Sequence, residues 1–114
     1  MARGVFTFAA IFRDNYAKVL DFFIDNPRYD FTVTEIARHT KISRITVTKI
    51  ISNFNKDGII KKSRKLGRGQ LYIFNTDNPI VKIIMRAEFE MISVLAEQEQ
   101  KIQQPMKIPV RMKR

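Results

Sequence analysis

The sequence predicts an α+β fold, mainly α-helical, in a single domain of 114 residues. Two short helices with capping signals stand two residues apart, a β-hairpin with glycines at its tip follows them, and a long helix begins at Pro79. Ten of the 21 Lys/Arg residues, but only one acidic residue, Asp57, lie between residues 36 and 76. The excess of positive charge is therefore concentrated on the short helices and the hairpin, which favours a surface that meets phosphate.

The composition argues against several classes of function. The chain has no cysteine, which excludes disulfides, thiolate metal sites and cysteine nucleophiles. A surface or turn position is a simpler interpretation of the single histidine, His39, than a role as a metal ligand. Four carboxylates near the C-terminus are expected to face solvent or cations of a partner chain: Glu88, Glu90, Glu97 and Glu99. Without a nucleophile–base set, a phosphate loop or metal-ligand spacing, we expect no enzyme, no metal and no cofactor.

The N-terminal segment, residues 1–13, contains an apolar run at Val5–Phe12. This run is too short to span a membrane and is poorly formed as a signal peptide. We interpret it as a strand or an early helix that covers the core. We therefore expect a cytoplasmic protein that associates with the nucleoid and not with a membrane.

The first helix is predicted from about Asn15 to Asn26, with Asp14 as its N-cap and Pro27 as its stop. Residues 28–30 are predicted to form a connecting loop. Apolar side chains recur at helical spacing and are expected to face the core: Tyr16, Val19, Leu20, Phe23 and Ile24.

The next two helices are marked by their caps. Thr32 and Glu35 have the spacing of a capping box, and the helix that they begin is expected to end near Thr40. Ser43 caps the following helix after only residues 41 and 42. Two helices joined by so short a turn must cross steeply, so the pattern predicts a helix-turn-helix.

The third helix, predicted over Ser43–Lys56, has two different faces. One face is apolar and is expected to pack on the core: Val47, Ile50, Ile51 and Phe54. The rest of the helix surface has basic side chains, short polar side chains and one isoleucine, and it contains no acid. These residues are expected to contact nucleic acid: Ser43, Arg44, Ile45, Thr46, Thr48, Lys49, Ser52 and Asn53. For Ile45 two interpretations remain open, contact with a thymine methyl group or burial in the core of a rotated helix.

The hairpin is predicted as strands Ile59–Leu66 and Gln70–Asn75 around a tip at residues 67–69. Its cations are expected to contact DNA: Lys62, Arg64, Lys65 and Arg68. The alternative is a basic edge strand that its lysines protect from aggregation, although Arg68 at the tip suits a narrow minor groove. Thr32 and Thr34 either bind a phosphate at the helix N-terminus, or Thr32 serves only as a cap.

The long helix is predicted from its cap at Asn78 to about Gln103. Its apolar residues occupy more than one face, which one small domain cannot cover. We therefore expect a homodimer held mainly by five side chains of this helix: Ile80, Ile84, Met91, Ile92 and Leu95. The apolar N-terminal run is a further candidate for the same interface.

Two stretches, Phe31–Lys49 and Asp57–Pro79, resemble the winged-helix transcription regulators of archaea that are related to the MarR and ArsR groups. The resemblance extends over about residues 14–95. It implies that helix 43–56 enters the major groove, that the Arg68 loop reaches a flanking minor groove, and that the C-terminal helix pairs two subunits. Lys41 stands where these proteins often have glycine, Ile45 stands where they usually have a polar residue, and the lack of cysteine speaks against metal sensing of the ArsR kind.

The predicted protein is a winged helix-turn-helix with a two-stranded β-hairpin wing and a long C-terminal dimerisation helix. Its predicted parts are an apolar segment, a DNA-binding domain, a dimerisation helix and a basic flexible tail: residues 1–13, 14–77, 78–103 and 104–114. The expected function is that of a homodimeric regulator that binds double-stranded DNA in a sequence-specific manner. The alternative is a non-specific architectural or protein-interaction module on the same fold. The sequence identifies no small-molecule effector.

Overall fold

The computed structural model describes residue 8 and residues 12–107, with side chains up to residue 98. Helices and strands follow in the order α1 Asn15–Asp25, β1 Asp30–Phe31, α2 Val33–Thr40, α3 Arg44–Lys56, β2 Ile60–Leu66, β3 Gly69–Phe74 and α4 Pro79–Lys107. α4 extends four residues beyond the predicted end at Gln103, into the stretch predicted as a basic tail.

Of the apolar N-terminal run, the structure describes Phe8 and Phe12, and both are helical. Their rings stack with centroids 6.3 Å apart. Phe8 packs against the core, and its backbone N–H donates to Oδ1 of Asp21 at 3.2 Å. The other residues of this predicted strand or early helix lie outside the described part of the chain.

α1 begins where its cap predicts. The carboxylate of Asp14 accepts from the backbone N–H of Ala17 at 2.8 Å. Val19 and Phe23 are completely buried, as their spacing predicts, but Tyr16 is 38% exposed. Tyr16 lies at the edge of the core, where its ring contacts Phe54 of α3 edge-on, with centroids 5.7 Å apart.

The helix-turn-helix is confirmed in its local bonds. The Thr32 hydroxyl accepts from the Glu35 N–H at 3.1 Å, and the Glu35 carboxylate accepts from the Thr32 N–H at 2.9 Å. Lys41 closes α2 in the left-handed conformation, with φ 62° and ψ 32°. Lys41 therefore adopts the backbone conformation that a glycine would take at this turn, although it costs a non-glycine residue about 1–2 kcal/mol. Ser43 then caps α3 by accepting from the N–H of Thr46 at 3.2 Å.

The sheet has three antiparallel strands in the order β1-β3-β2, not the two that were predicted. Asp30 and Phe31 pair with Ile73 and Tyr72 of β3, so the loop predicted over residues 28–30 is wrong at its last residue. A strand of two residues is too short for alternation to reveal it. The hairpin loop is also shorter than predicted, because Gly69 already pairs with Leu66. β2, β3 and their connecting loop form the wing.

A single cluster of buried side chains joins all these elements. The Phe23 ring of α1 lies 6.1 Å from the Phe74 ring of β3, measured between centroids. Side chains from every helix and from the wing are at most 2% exposed in this cluster: Val19, Phe23, Ile36, Val47, Ile50, Ile51, Ile60, Phe74 and Val81. α3 and the base of the wing are therefore held on one core.

Candidate nucleic-acid interface

α3 presents the face that its sequence predicts. Val47, Ile50 and Ile51 are between 0% and 2% exposed, which confirms the apolar face. Ile45 is 84% exposed, so the alternative of a rotated helix with Ile45 in the core is wrong. Most of the predicted contact residues around it are exposed as well: Ser43, Arg44, Thr48, Lys49 and Ser52.

Three hydroxyl groups of this face, those of Ser43, Thr46 and Thr48, already have partners within the protein. The Thr48 hydroxyl donates to the Arg44 carbonyl at 2.7 Å, and the Ser43 hydroxyl donates to Oγ1 of Thr46 at 3.0 Å. Thr46 is half-buried. While these bonds persist, the Thr48 hydroxyl offers a base edge an acceptor and not a donor.

Asn53, another predicted contact residue, has a partner that the sequence did not reveal. Its side-chain Nδ2 donates to the Tyr16 hydroxyl of α1 at 2.6 Å, and Asn53 is only half-exposed. Recognition helices usually contact bases through their N-terminal residues, whereas Asn53 lies in the third turn of α3. The observed role of Asn53 is to join α3 to α1.

An open polar cavity of about 210 Å³ lies between the N-termini of α2 and α3 and the tip of the wing. Residues that the sequence places far apart line it together: Thr32, Val33, Thr34, Arg44, Thr48, Arg68, Gly69, Gln70 and Tyr72. Thr32 acts as the cap of α2, while Thr34 is exposed. Two arginines, Arg44 and Arg68, and the exposed Thr34 thus line one cavity, and side chains of these kinds suit an anion.

The wing carries exposed cations of two kinds. Lys62, Lys65 and Arg68 have no acidic partner among the residues that the structure describes. Arg64 behaves differently: its Nε and Nη2 donate to the two carboxylate oxygens of Asp30 at 2.9 and 3.3 Å. Lys61 forms a longer ion pair with Asp77, at 3.4 Å. Arg64 was predicted to contact DNA without any such partner.

Asp30 is the acidic residue that the sequence analysis missed. It also accepts from the Ser63 hydroxyl at 2.6 Å, and its side chain is 17% exposed. The hydrogen bonds from Arg64, and then that from Ser63, hold the pKa of Asp30 below its ordinary value of 3.8. The hydrogen bond to Asp30 in turn raises the pKa of Arg64. No sequence signal could have found these contacts, since 33 and 34 residues separate the partners.

The predicted dimer residues of α4 differ in their accessibility. Ile80 is 56% exposed, whereas Ile84 packs partly against the core of its own domain. Met91, Ile92 and Leu95 are half-buried. Three further apolar side chains of α4, those of Ile83, Phe89 and Val94, are 56%, 68% and 52% exposed and were not among the predicted interface residues. Ile80, Ala87 and Val94 stand seven residues apart and form an apolar stripe along α4. This spacing is the sequence signal that could have identified Val94.

His39 lies on the surface of α2, outside the polar cavity. The predicted surface position of His39 is confirmed, and its ring lies 5.4 Å from the ring of Phe22. No group of three metal-ligating side chains occurs among the described residues. No helix of the described chain has the length and apolar character that a membrane span requires.

Comparison with solved structures establishes the architecture. Neither a protein-family model nor a curated protein matches the sequence. A mutant of ZitR from Lactococcus lactis in its apo form superposes with a TM-score of 0.62 at 23% identity, over 81% of this chain and 73% of that one. The fold is a winged helix.

Two further structures have the same architecture. MepR, a transcription regulator of the multidrug efflux pump MepA of Staphylococcus aureus, gives a TM-score of 0.60 at 18% identity, over 91% of this chain and 80% of that one. Wild-type Lactococcus lactis ZitR in complex with DNA gives a TM-score of 0.54 at 22% identity, over 74% of this chain and 60% of that one. These likenesses extend to the fold, and the function has to be argued from the site.

Proposed function

We propose that this winged helix is a transcription regulator that binds double-stranded DNA in a sequence-specific manner as a homodimer. In this proposal α3 enters the major groove and the wing contacts a flanking minor groove. The observation that carries the proposal is the polar cavity, which Arg44 of α3, Thr34 of α2 and Arg68 of the wing line together. Three elements that are separate in sequence thereby meet at one place suited to a phosphate.

A backbone phosphate in this cavity would fix the position of α3 on the duplex. Hydrogen bonds to phosphates set the orientation of a protein, while contacts to base edges supply the sequence preference. In the proposed complex Arg44 and the Thr34 hydroxyl donate to the phosphate, and Arg68, from the tip of the wing, enters the adjacent minor groove. Because Arg44 lies in the first turn of α3, this anchor places the N-terminal half of the helix against the groove.

The exposed face of α3 has the chemistry for reading bases. Lys49 supplies a donor for the acceptors of guanine. Ile45, whose side chain is exposed on an otherwise polar face, suits the methyl group of thymine. A surface that only coated DNA would have no use for an exposed isoleucine at this position, so Ile45 favours sequence-specific binding.

The proposed homodimer rests on the apolar stripe of α4. Ile80, Ala87 and Val94 repeat every seven residues, which is the spacing of a helix–helix seam. The stripe is completed by Ile83, Ile84 and Met91. Pairing two such helices around a two-fold axis would present two copies of α3 to successive major grooves, about 34 Å apart. The other predicted residues, Ile92 and Leu95, would lie beside this seam.

The architectural alternative is favoured by one observation, the unpaired lysines of the wing. Selection of bound duplexes from a random-sequence pool separates the two functions. A regulator should enrich an inverted repeat whose half-sites are one helical turn apart, and should bind it at least about 10³-fold more tightly than unrelated duplex. Equal binding of all duplexes would support the architectural module, and the absence of any salt-dependent binding would refute both.

A further inference from the structure

Asp30 is an acidic residue beside the positively charged wing, where a carboxylate would by itself repel DNA. It lies on β1 and pairs there with Ile73 of β3. Its carboxylate receives three hydrogen bonds, two from Arg64 and one from Ser63. The side chain is mostly shielded from solvent, at 17% exposed, whereas that of Arg64 is 60% exposed.

The three bonds hold an irregular part of the wing. The pairing of β2 with β3 shifts register between Lys62 and Lys65, at the two residues that Asp30 binds. The Gln70 side chain of β3 also donates to the Arg64 carbonyl at 3.0 Å. A bulge leaves the strand ladder without its regular bonds, so these polar contacts replace part of what the ladder lacks. Asp30 therefore fixes where Arg64 lies on the wing.

The pairing does not use up the guanidinium group. Arginine has five N–H donors in a fixed planar arrangement, and two of the five point at Asp30. The other three are not engaged by Asp30, and the side chain is largely exposed. A carboxylate on one edge of a guanidinium orients its other edge and limits the rotamers that a phosphate contact would otherwise have to select.

We propose that Asp30 is a positioning residue for DNA binding, which holds Arg64 at the bulge of the wing so that its remaining N–H groups contact a backbone phosphate. This inference rests on the proposed function. It also explains why the predicted DNA contact at Arg64 is compatible with an ion pair inside the protein. Asp30 lies two residues before Thr32, the cap of α2, so the same contacts link the wing to the helix that borders the polar cavity.

The proposal predicts an effect opposite in sign to simple electrostatics. Removing a negative charge near DNA should strengthen binding, whereas losing the orientation of Arg64 should weaken it. We expect Asp30→Asn to lower affinity for a selected duplex about tenfold and to reduce the log–log salt slope by about one, the loss of one phosphate contact. Asp30→Glu, which keeps the charge, should recover part of the affinity.

The matched control is Asp77→Asn. Asp77 also pairs with a cation of the wing, Lys61, but it is 87% exposed and binds at 3.4 Å. Its removal should leave the affinity unchanged or raise it. Arg64→Lys tests the same contact without altering Asp30, because lysine keeps the charge but lacks the planar pair of donors. It should weaken binding about as much as Asp30→Asn.

The Arg64→Ala background shows whether Asp30 acts through Arg64. There, Asp30→Asn should no longer weaken binding and should raise affinity slightly. Circular dichroism and thermal unfolding show whether each variant is folded. If Asp30→Asn does not fold, the affinity of Arg64→Lys tests the contact instead. Tighter binding by Asp30→Asn than by the wild type would overturn the positioning role alone. A wild-type protein that binds no duplex would overturn the proposed function, and this inference with it.

Discussion

α3 and the wing, which we propose contact the same DNA duplex, are held in place by different means. α3 is fixed by Val47, Ile50 and Ile51, which are between 0% and 2% exposed. Six of the seven residues of β2 are exposed, and the hydrogen bonds to Asp30 secure its bulge. Several packed side chains position the helix redundantly, whereas one carboxylate positions the middle of the strand. Surface substitutions on α3 should therefore change what is bound and not where the helix lies.

The largest expected effect is on stability, and it tests whether packing holds α3. Ile50→Ala removes a side chain that is 1% exposed and should lower the free energy of unfolding by about 2–5 kcal/mol. Ile45→Ala, on the same helix, removes the same atoms from a side chain that is 84% exposed, and should change it by less than about 0.5 kcal/mol. Urea unfolding of both variants measures the contrast. Equal destabilisation would mean that α3 is rotated from the orientation described.

The second expected effect separates the helix from the wing in DNA binding. Lys49→Ala should cost about 1–3 kcal/mol on the preferred duplex and should relax the preference at one base position. Arg68→Ala should weaken binding mainly when the flanking DNA is rich in A·T pairs, because arginine prefers a narrow minor groove. Binding measured on a panel of single-base and flank variants distinguishes the two patterns. Uniform losses for both variants would show that neither element reads sequence.

The third effect concerns Asn53, whose side chain lies on α3 but bonds to α1. Asn53→Ala and Tyr16→Phe each remove the 2.6 Å hydrogen bond, and each should cost about 1 kcal/mol of stability. Because both substitutions remove the same hydrogen bond, the double variant should be hardly less stable than either single variant. Base preference should stay as in the wild type. A changed base preference for Asn53→Ala alone would mean that Asn53 contacts DNA, as its position in the sequence predicts.

The smallest effect is a pH dependence of the bonds at Asp30. The lowered pKa of Asp30 means that its ionised form is favoured by folding. The resulting stability is present above the ordinary value of 3.8 and is lost as the pH falls below it through the lowered pKa. The difference in unfolding free energy between the wild type and Asp30→Asn should therefore shrink between neutral pH and pH values below 3.8. A difference that stays constant over this range would mean that ionised Asp30 adds no stability to the wing.

The same contrast explains which features the sequence could predict. Capping residues and helical periodicity are local, so Thr32, Ser43 and the buried face of α3 were predicted correctly. The hairpin was predicted from the glycines at its tip and from the strand preference of residues 71–74, which are also local signals. β1 and the bonds of Asp30 could not be, because a two-residue strand leaves no pattern and its partners are 33 and 34 residues away. Asn53 was assigned to DNA for the same reason, since its partner Tyr16 is 37 residues distant.

We propose that the duplex binds where α2, α3 and the wing meet. Backbone amide shifts of the isotope-labelled protein, followed by NMR during titration with a selected duplex, test it most directly. We expect the largest shifts at Thr34, Arg44, Lys49 and Arg68, with little change at exposed positions of α1 such as Lys18. Saturable binding with its largest shifts on α1 or α4, and none around the polar cavity, would contradict it.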